Sequence, residues 1–155
     1  MSKGGSNISN NRYYRITDTV RELIKTHETR DPFRIAKELG ALIVYVPLVR
    51  VNGFYQRYED QDIIYINQDL GEDEAKLVCA HELGHLVLHN DINFIFLETT
   101  LTVSSVYEAE ANLFAIQLLR EDLNLNVEIP IINWNYSDIF IRRYIQKLEK
   151  ELNIP

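Results

Sequence analysis

The chain has 155 residues, 46% of them hydrophobic and 25% charged, with a formal net charge of −7. This length and composition suit one globular domain with one core, and the acid excess argues against a broad nucleic-acid surface. A single cysteine excludes an internal disulfide framework, and no stretch approaches the roughly 20 apolar residues that span a membrane.

In chain order, residues 1–11 are rich in Ser, Gly and Asn and read as a disordered tail, leaving 12–155 as a single domain. No hydrophobic signal core precedes the domain, so the cytoplasm is the expected compartment. Thr17 or Asp18 can cap a first amphipathic helix running to about His27. Asp31 and Pro32 then open a second helix that Gly40 stops. Two short helices invite comparison with helix-turn-helix DNA readers. The next segment, Ala41-Leu42-Ile43-Val44-Tyr45-Val46, is β-rich and ends at Pro47, so no recognition helix follows and no direct nucleic-acid contact is expected.

Residues 54–58 and 62–66 alternate as the two strands of a hairpin, with Glu59-Asp60-Gln61 turning between them. The exposed edge of such a sheet can hold an extended peptide as an additional strand. Phe54, Tyr55 and Tyr58 form an aromatic tip that would line that cleft. Tyr55 is a candidate for stabilising an oxyanion, beside the reading in which it simply packs half-buried on a strand.

The densest signal is His81-Glu82-Leu83-Gly84-His85, an HExxH string. On a helix, residues four apart share a face one turn apart, so both imidazoles can reach one ion. Glu82 lies about 100° round the same helix. Two histidines holding a zinc ion, with a carboxylate beside them to take a proton from water, form the donor set of a metallopeptidase. The flanks are helical, with Glu72, Asp73 and Glu74 in the first turn, where the helix dipole favours negative charge. At 100° steps His81 and His85 share a stripe with Leu77, Val78 and Leu88, an apolar face turned inward. Buried imidazoles need partners, and a metal supplies one for both. Cys79 lies about 160° from His81 and reads as a small buried residue.

A catalytic zinc usually has three protein ligands. His89 continues the stripe, but it is roughly 12 Å along the axis from His81, and it reads as structural, near the helix C-terminus. A second helix over residues 104–119 offers Glu108 and Glu110. Ala111, Asn112, Ala115 and Leu119 fall within about 60° of Glu108. This face of small and apolar side chains would let the helix approach a neighbour closely. Glu110 lies on the other side, and is the fallback ligand. Asn112, one turn beyond Glu108, can support a ligating histidine by hydrogen bonding. The competing reading makes Ser105-Val106-Tyr107-Glu108 a capping box. A loop with Pro130 follows, and Ser137-Asp138 can cap a last helix through Leu152 whose basic residues read as a solvated face.

HExxH at 81–85 followed by Glu108-Ala109-Glu110-Ala111-Asn112 resembles the ImmA/IrrE family of small metallopeptidases, whose pattern is HExxH and then ExxAN. The lead-in from Asp31 to Asn67 is similar to what such proteins carry before the zinc helix, and the chain departs from the pattern after Leu119, where Arg120-Glu121-Asp122 replaces the common Met-Pro. The resemblance implies an α+β fold: a small zincin-like domain with a three-stranded sheet packed on the HExxH helix and a second ligand-bearing helix. It implies a Zn2+ cofactor on His81, His85 and Glu108, with Glu82 as general base. It also implies a protein substrate, a single helix-turn-helix transcription repressor of a phage or mobile element. The contrasting expectation is a non-enzymatic interaction protein that inactivates a repressor by binding it. A closed zinc site of four protein ligands, with His89 as the fourth, would mark that case.

Overall fold

The computed structural model describes residues 5–90 and 101–119, with side chains over 14–90 and 107–119. The elements are α1 (Gly5–His27), α2 (Pro32–Glu38), β1 (Leu42–Val46), β2 (Gly53–Tyr58), β3 (Gln61–Asn67), α3 (Glu72–Leu88) and α4 (Leu101–Leu119). The three strands form one sheet in the order β1-β3-β2, with β1 parallel and β2 antiparallel to the central β3. This is the expected α+β architecture. The expected helix over residues 137–152 lies outside the described residues.

Helix α1 begins at Gly5, inside the stretch read from sequence as a tail and ahead of the cap expected at Thr17 or Asp18. Thr17 lies within the helix and accepts a hydrogen bond from Gln117 Nε2 at 2.9 Å, while Thr19 Oγ1 donates back to the Arg15 carbonyl at 2.8 Å. The Thr17 hydroxyl, which looks like a cap in sequence, therefore ties α1 to α4, and that of Thr19 bonds back to the preceding turn. Arg30, in the following loop, donates to the carbonyls of Gln117 and Leu118 at 3.2 and 3.1 Å. These are carbonyls of the last turn of α4, which have no intrahelical partner, so the clamp holds that end of the helix in place.

Helix α2 starts as its sequence indicates. Asp31 is the N-cap, its carboxylate accepting from the Phe33 N–H at 3.0 Å, and Pro32 occupies the first turn. Beyond the C-cap at Leu39, Gly40 turns the chain at φ +89°, a left-handed conformation that favours glycine. The chain then enters β1. At the β2–β3 hairpin, Glu59 and Asp60 both have positive φ, +46° and +66°, as a two-residue type I′ turn requires.

The pleat decides where the aromatic residues go. Tyr55, opposite Ile64, faces the core with Ile66 and is buried. Phe54 and Tyr58 face the other way, and Phe54 stacks on Tyr65 with ring centroids 4.3 Å apart. The aromatic tip expected to line one cleft is thus divided between the two faces of the sheet, because alternate residues of a strand point to opposite sides.

Helix α3 is the centre of the domain. It has no side-chain cap, but Glu72, Asp73 and Glu74 stand in its first turn. From Leu77 to Leu86 every residue is buried, rather than the single stripe the wheel suggests. The reason is tertiary: the helix lies between the sheet and α4 and is also packed by α2, so it is covered on more than one side. Ile35, Ala36, Ile64, Ile66, Phe114 and Leu118 complete the core around it.

Candidate metal centre

His81 and His85 sit one turn apart on α3 with ring centroids 4.8 Å apart and planes at 90°. Glu108 reaches them from α4. Its Oε2 lies 2.9 Å from His81 Nε2 and its Oε1 lies 2.9 Å from His85 Nε2. One donor atom from each residue lies within 4.8 Å of the others, so the three side chains could hold a metal ion. Two imidazole nitrogens and one carboxylate in buried surroundings form a donor set of the kind that binds zinc and similar divalent ions, and the residues present fit such an ion. Among the described residues this is the metal-competent group, and His89 is outside it.

Two close approaches create this arrangement. Gly84 lies where α3 crosses α4: a methyl group there would meet Ala111 Cα and Phe114 Cδ1 at 3.1 Å and the Ala111 carbonyl at 3.2 Å. Ala111 and Ala115 are both fully buried, and this small-residue seam brings Glu108 within reach of the histidines. Helix α4 starts at Leu101, ahead of Ser105, so Ser105 lies inside the helix and Glu108 is not in a capping box. The second approach is at Gly53 on β2. A methyl group there would be 2.5 Å from Val78 Cγ1 and 2.7 Å from the Tyr65 carbonyl oxygen, with Glu82 Cγ 3.7 Å away.

Glu82 lies on the β2 side of α3. Its carboxylate is 4.0 Å from His81 Nε2 and accepts a hydrogen bond from the Tyr55 backbone N–H. Burial pushes its carboxyl up to about 7, with the Glu108 charge adding to the rise while His81 and the Tyr55 amide oppose it. The Tyr55 hydroxyl, the sequence candidate for an oxyanion donor, donates instead to Asp62 Oδ1 at 2.5 Å. Tyr55 meets the site through its main chain.

The three donors polarise one another. Burial works against a charged His81, but the Glu108 charge and hydrogen bond, with Glu82 beside it, outweigh that and raise its pKa. His85 is pulled down to about 4, first by burial and then by the neighbouring His81, against the Glu108 hydrogen bond. Burial alone would raise Glu108, yet the two histidines hold it well below the usual carboxylate range. These directions favour an anionic Glu108 and a neutral His85, the forms in which they could ligate an ion, and push His81 towards the charged form, whose proton an ion would have to displace. Asn112 is buried beside His81 and interacts with its ring. Glu110 lies apart from the cluster, its Oε2 3.8 Å from His89 Nε2.

Sequence reasoning passed over two glycines here, and the main-chain contact of Tyr55. Gly53 has no motif of its own, and the only sign of it is a glycine opening a strand. The Tyr55 N–H carries no sequence signature at all. Gly84 is inside the HExxH string, where a glycine in a helix interior, unfavourable by about 1 kcal/mol relative to alanine, signals close packing.

The IrrE N-terminal-like domain model matches residues 36–124. The chain is 38% identical over 112 residues to uncharacterized immunity region protein 2 of Bacillus phage phi105, covering 71% of each protein. It is 34% identical over 120 residues to metallopeptidase ImmA of Bacillus subtilis, covering 76% of this chain and 70% of the relative.

Proposed function

The chain belongs to the IrrE N-terminal-like family of metallopeptidases, and on that premise we propose that it is a zinc-dependent endopeptidase acting on a regulatory protein. The observation that carries this reading is the buried convergence of His81, His85 and Glu108, with Glu82 held beside them and outside the donor set. Three protein donors leave a coordination position for water, which favours a catalytic centre over the closed four-ligand site of a purely structural zinc.

Zinc, when bound, supplies Lewis acidity that lowers the pKa of water towards about 7 and polarises a peptide carbonyl. Glu82 takes the proton of the attacking water as its oxygen bonds to the carbonyl carbon. It then delivers that proton to the amine as the C–N bond breaks, leaving a carboxylic acid and an amine, between which the second water proton passes to give a carboxylate and an ammonium group. The Tyr55 N–H orients the Glu82 carboxylate for both transfers. Because that N–H points away from β3, strand alternation directs the main-chain groups of Gly53 and Arg57 to the same outer edge. An extended peptide paired along this edge passes beside Glu82.

The similarity to a protein named for a phage immunity region supports a substrate of that setting, and a helix-turn-helix repressor is the substrate proposed. Among the described residues no helix is long and apolar enough to cross a membrane, and the cytoplasm, where such a repressor works, is the proposed compartment. The test is to incubate the purified zinc-loaded protein with the repressor encoded beside it and read the products by intact mass. A single cut by the wild type that is absent with Glu82→Gln supports the proposal. An intact repressor released from its operator equally by both proteins would instead favour inactivation by binding.

A further inference from the structure

His89 closes α3. It is the C-cap residue, with φ −132° and ψ 26°, and its N–H donates to the His85 carbonyl at 2.8 Å. The residue is 2% exposed, too buried for a histidine that merely interacts with the helix dipole at a solvated terminus. The ring is held on three sides. Nδ1 lies 3.2 Å from His85 Nδ1, Tyr107 packs edge-on with ring centroids 4.6 Å apart, and Nε2 faces Glu110 Oε2 at 3.8 Å.

Hydrogen-bond polarity gives the His85–His89 contact a direction, and the Glu110 carboxylate, at 3.8 Å from His89 Nε2 rather than hydrogen-bonded to it, adds a negative charge behind the pair. His85 presents Nε2 to Glu108 and the metal centre, and a ligating nitrogen carries no proton. The proton of a neutral His85 ring must then be on Nδ1, which lies within hydrogen-bond distance of His89 Nδ1. For that bond to form, His89 Nδ1 must accept, which puts the His89 proton on Nε2, facing the Glu110 carboxylate. Each ring is thereby set to one tautomer, and the negative charge at the far end makes every acceptor in the line a better one. Glu108 and Glu110, neighbours on α4, stand at opposite ends of one line through His85 and His89.

We propose that His89, backed by Glu110, is the positioning residue of the metal centre, holding His85 in the tautomer and ring orientation that ligates zinc. The inference rests on the metal site proposed above. Neither residue touches the reacting atoms.

The test compares wild type with His89→Leu, His89→Asn, Glu110→Gln and His81→Ala. Zinc affinity is read by competition with a chromophoric chelator, and the melting temperature of each metal-free protein is recorded alongside. His89→Leu fills much of the ring's volume without an acceptor and is expected to weaken zinc by roughly 10–100-fold. His89→Asn places an amide oxygen near the position of Nδ1 and is expected to recover most of that loss, even if its metal-free melting temperature resembles that of the leucine variant. Glu110→Gln keeps the shape and loses the charge, and is expected to fall between wild type and His89→Leu. In zinc-loaded wild type, nitrogen NMR shifts should show His85 protonated on Nδ1.

Equal zinc affinity in wild type and His89→Leu, or an asparagine variant as weak as the leucine one, overturns the inference and leaves the metal site intact. A wild type that binds zinc no better than His81→Ala overturns the metal site itself, and the inference with it.

Discussion

Helix α3 has two working sides built on different principles. Towards α4 it presents His81 and His85 to Glu108 across a seam of Gly84, Ala111 and Ala115, where two helices touch almost backbone to backbone. Towards β2 it presents Glu82 to Gly53 and the Tyr55 N–H, at the edge of the sheet. The first side is the proposed metal-binding side. The second borders the edge at which a peptide is proposed to enter and holds the carboxylate proposed to carry the proton. Glu82 directly follows His81 in the chain, so adjacent residues of α3 face the two sides, and on the roles proposed for them the two sides should fail differently.

The sharpest test of that division sets Glu82→Gln against His81→Ala. The first should retain stoichiometric zinc while turnover falls by roughly 10²–10⁴-fold, the usual contribution of a positioned general base. The second should lose zinc and turnover together. Zinc content by atomic absorption and cleavage rate on the same samples decide it, and a Glu82→Gln protein that cleaves normally would remove the general-base role.

Next in size is Gly53→Ala. A methyl group 2.5 Å from Val78 Cγ1 and 2.7 Å from the Tyr65 carbonyl forces β2 away from α3. Displacement on the order of 1 Å at a reacting group can cost about 10²-fold in rate. Turnover should therefore drop with zinc affinity nearly unchanged; a matching loss of zinc would mean that the two sides are not separable.

Gly84→Ala is the mirror experiment. Its contacts of 3.1–3.2 Å with Ala111 and Phe114 require a shift of only a few tenths of an ångström, and overpacking of this kind costs about 1–3 kcal/mol. Denaturant unfolding of the metal-free protein should show that loss, and chelator competition should show weakened zinc because Glu108 moves away with α4. Unchanged affinity would mean that Glu108 reaches its place without the close crossing.

The smallest effect lies away from both sides. Glu38 is hydrogen-bonded by His27 and Arg34, which hold its carboxyl below its ordinary value of 4.5. A carboxylate lowered on folding contributes stability above its unfolded pKa, and the contribution is lost as pH falls through the folded value. Glu38→Gln should therefore lower the melting temperature slightly at pH 7, with the difference from wild type fading as the pH falls from the ordinary value of 4.5 through the lowered folded value. Zinc affinity and turnover should not follow it. A variant that changed either would show that the α1–α2 staple reaches the site.

Much of this molecule was legible residue by residue, because the signals involved are local. Asp31 and Pro32 before Phe33 announce the start of α2, and alternation over residues 54–58 and 62–66 announces the hairpin. The 3.6-residue period places His81 and His85 on one face, and the small residues beside Glu108 mark the face of α4 that meets α3. Other readings failed because the deciding partner is distant in sequence. Thr17 has the character of a cap, yet its hydroxyl is used by Gln117. Ser105 starts a plausible capping box, yet α4 is already under way there. Phe54, Tyr55 and Tyr58 look like one aromatic patch until the pleat divides them.

The sequence by itself determined the helix that carries HExxH, the α+β class and, through the two paired motifs, the family. Those follow from backbone periodicity and residue chemistry, which act over a few residues. Only the tertiary structure decided that β1 runs parallel to β3, that Glu82 is gripped by the Tyr55 main chain, and that His89 and Glu110 stand behind His85. Each of those depends on segments brought together by burying a common core, and the geometry of a contact between distant segments is set by packing, for which a single sequence has no local code.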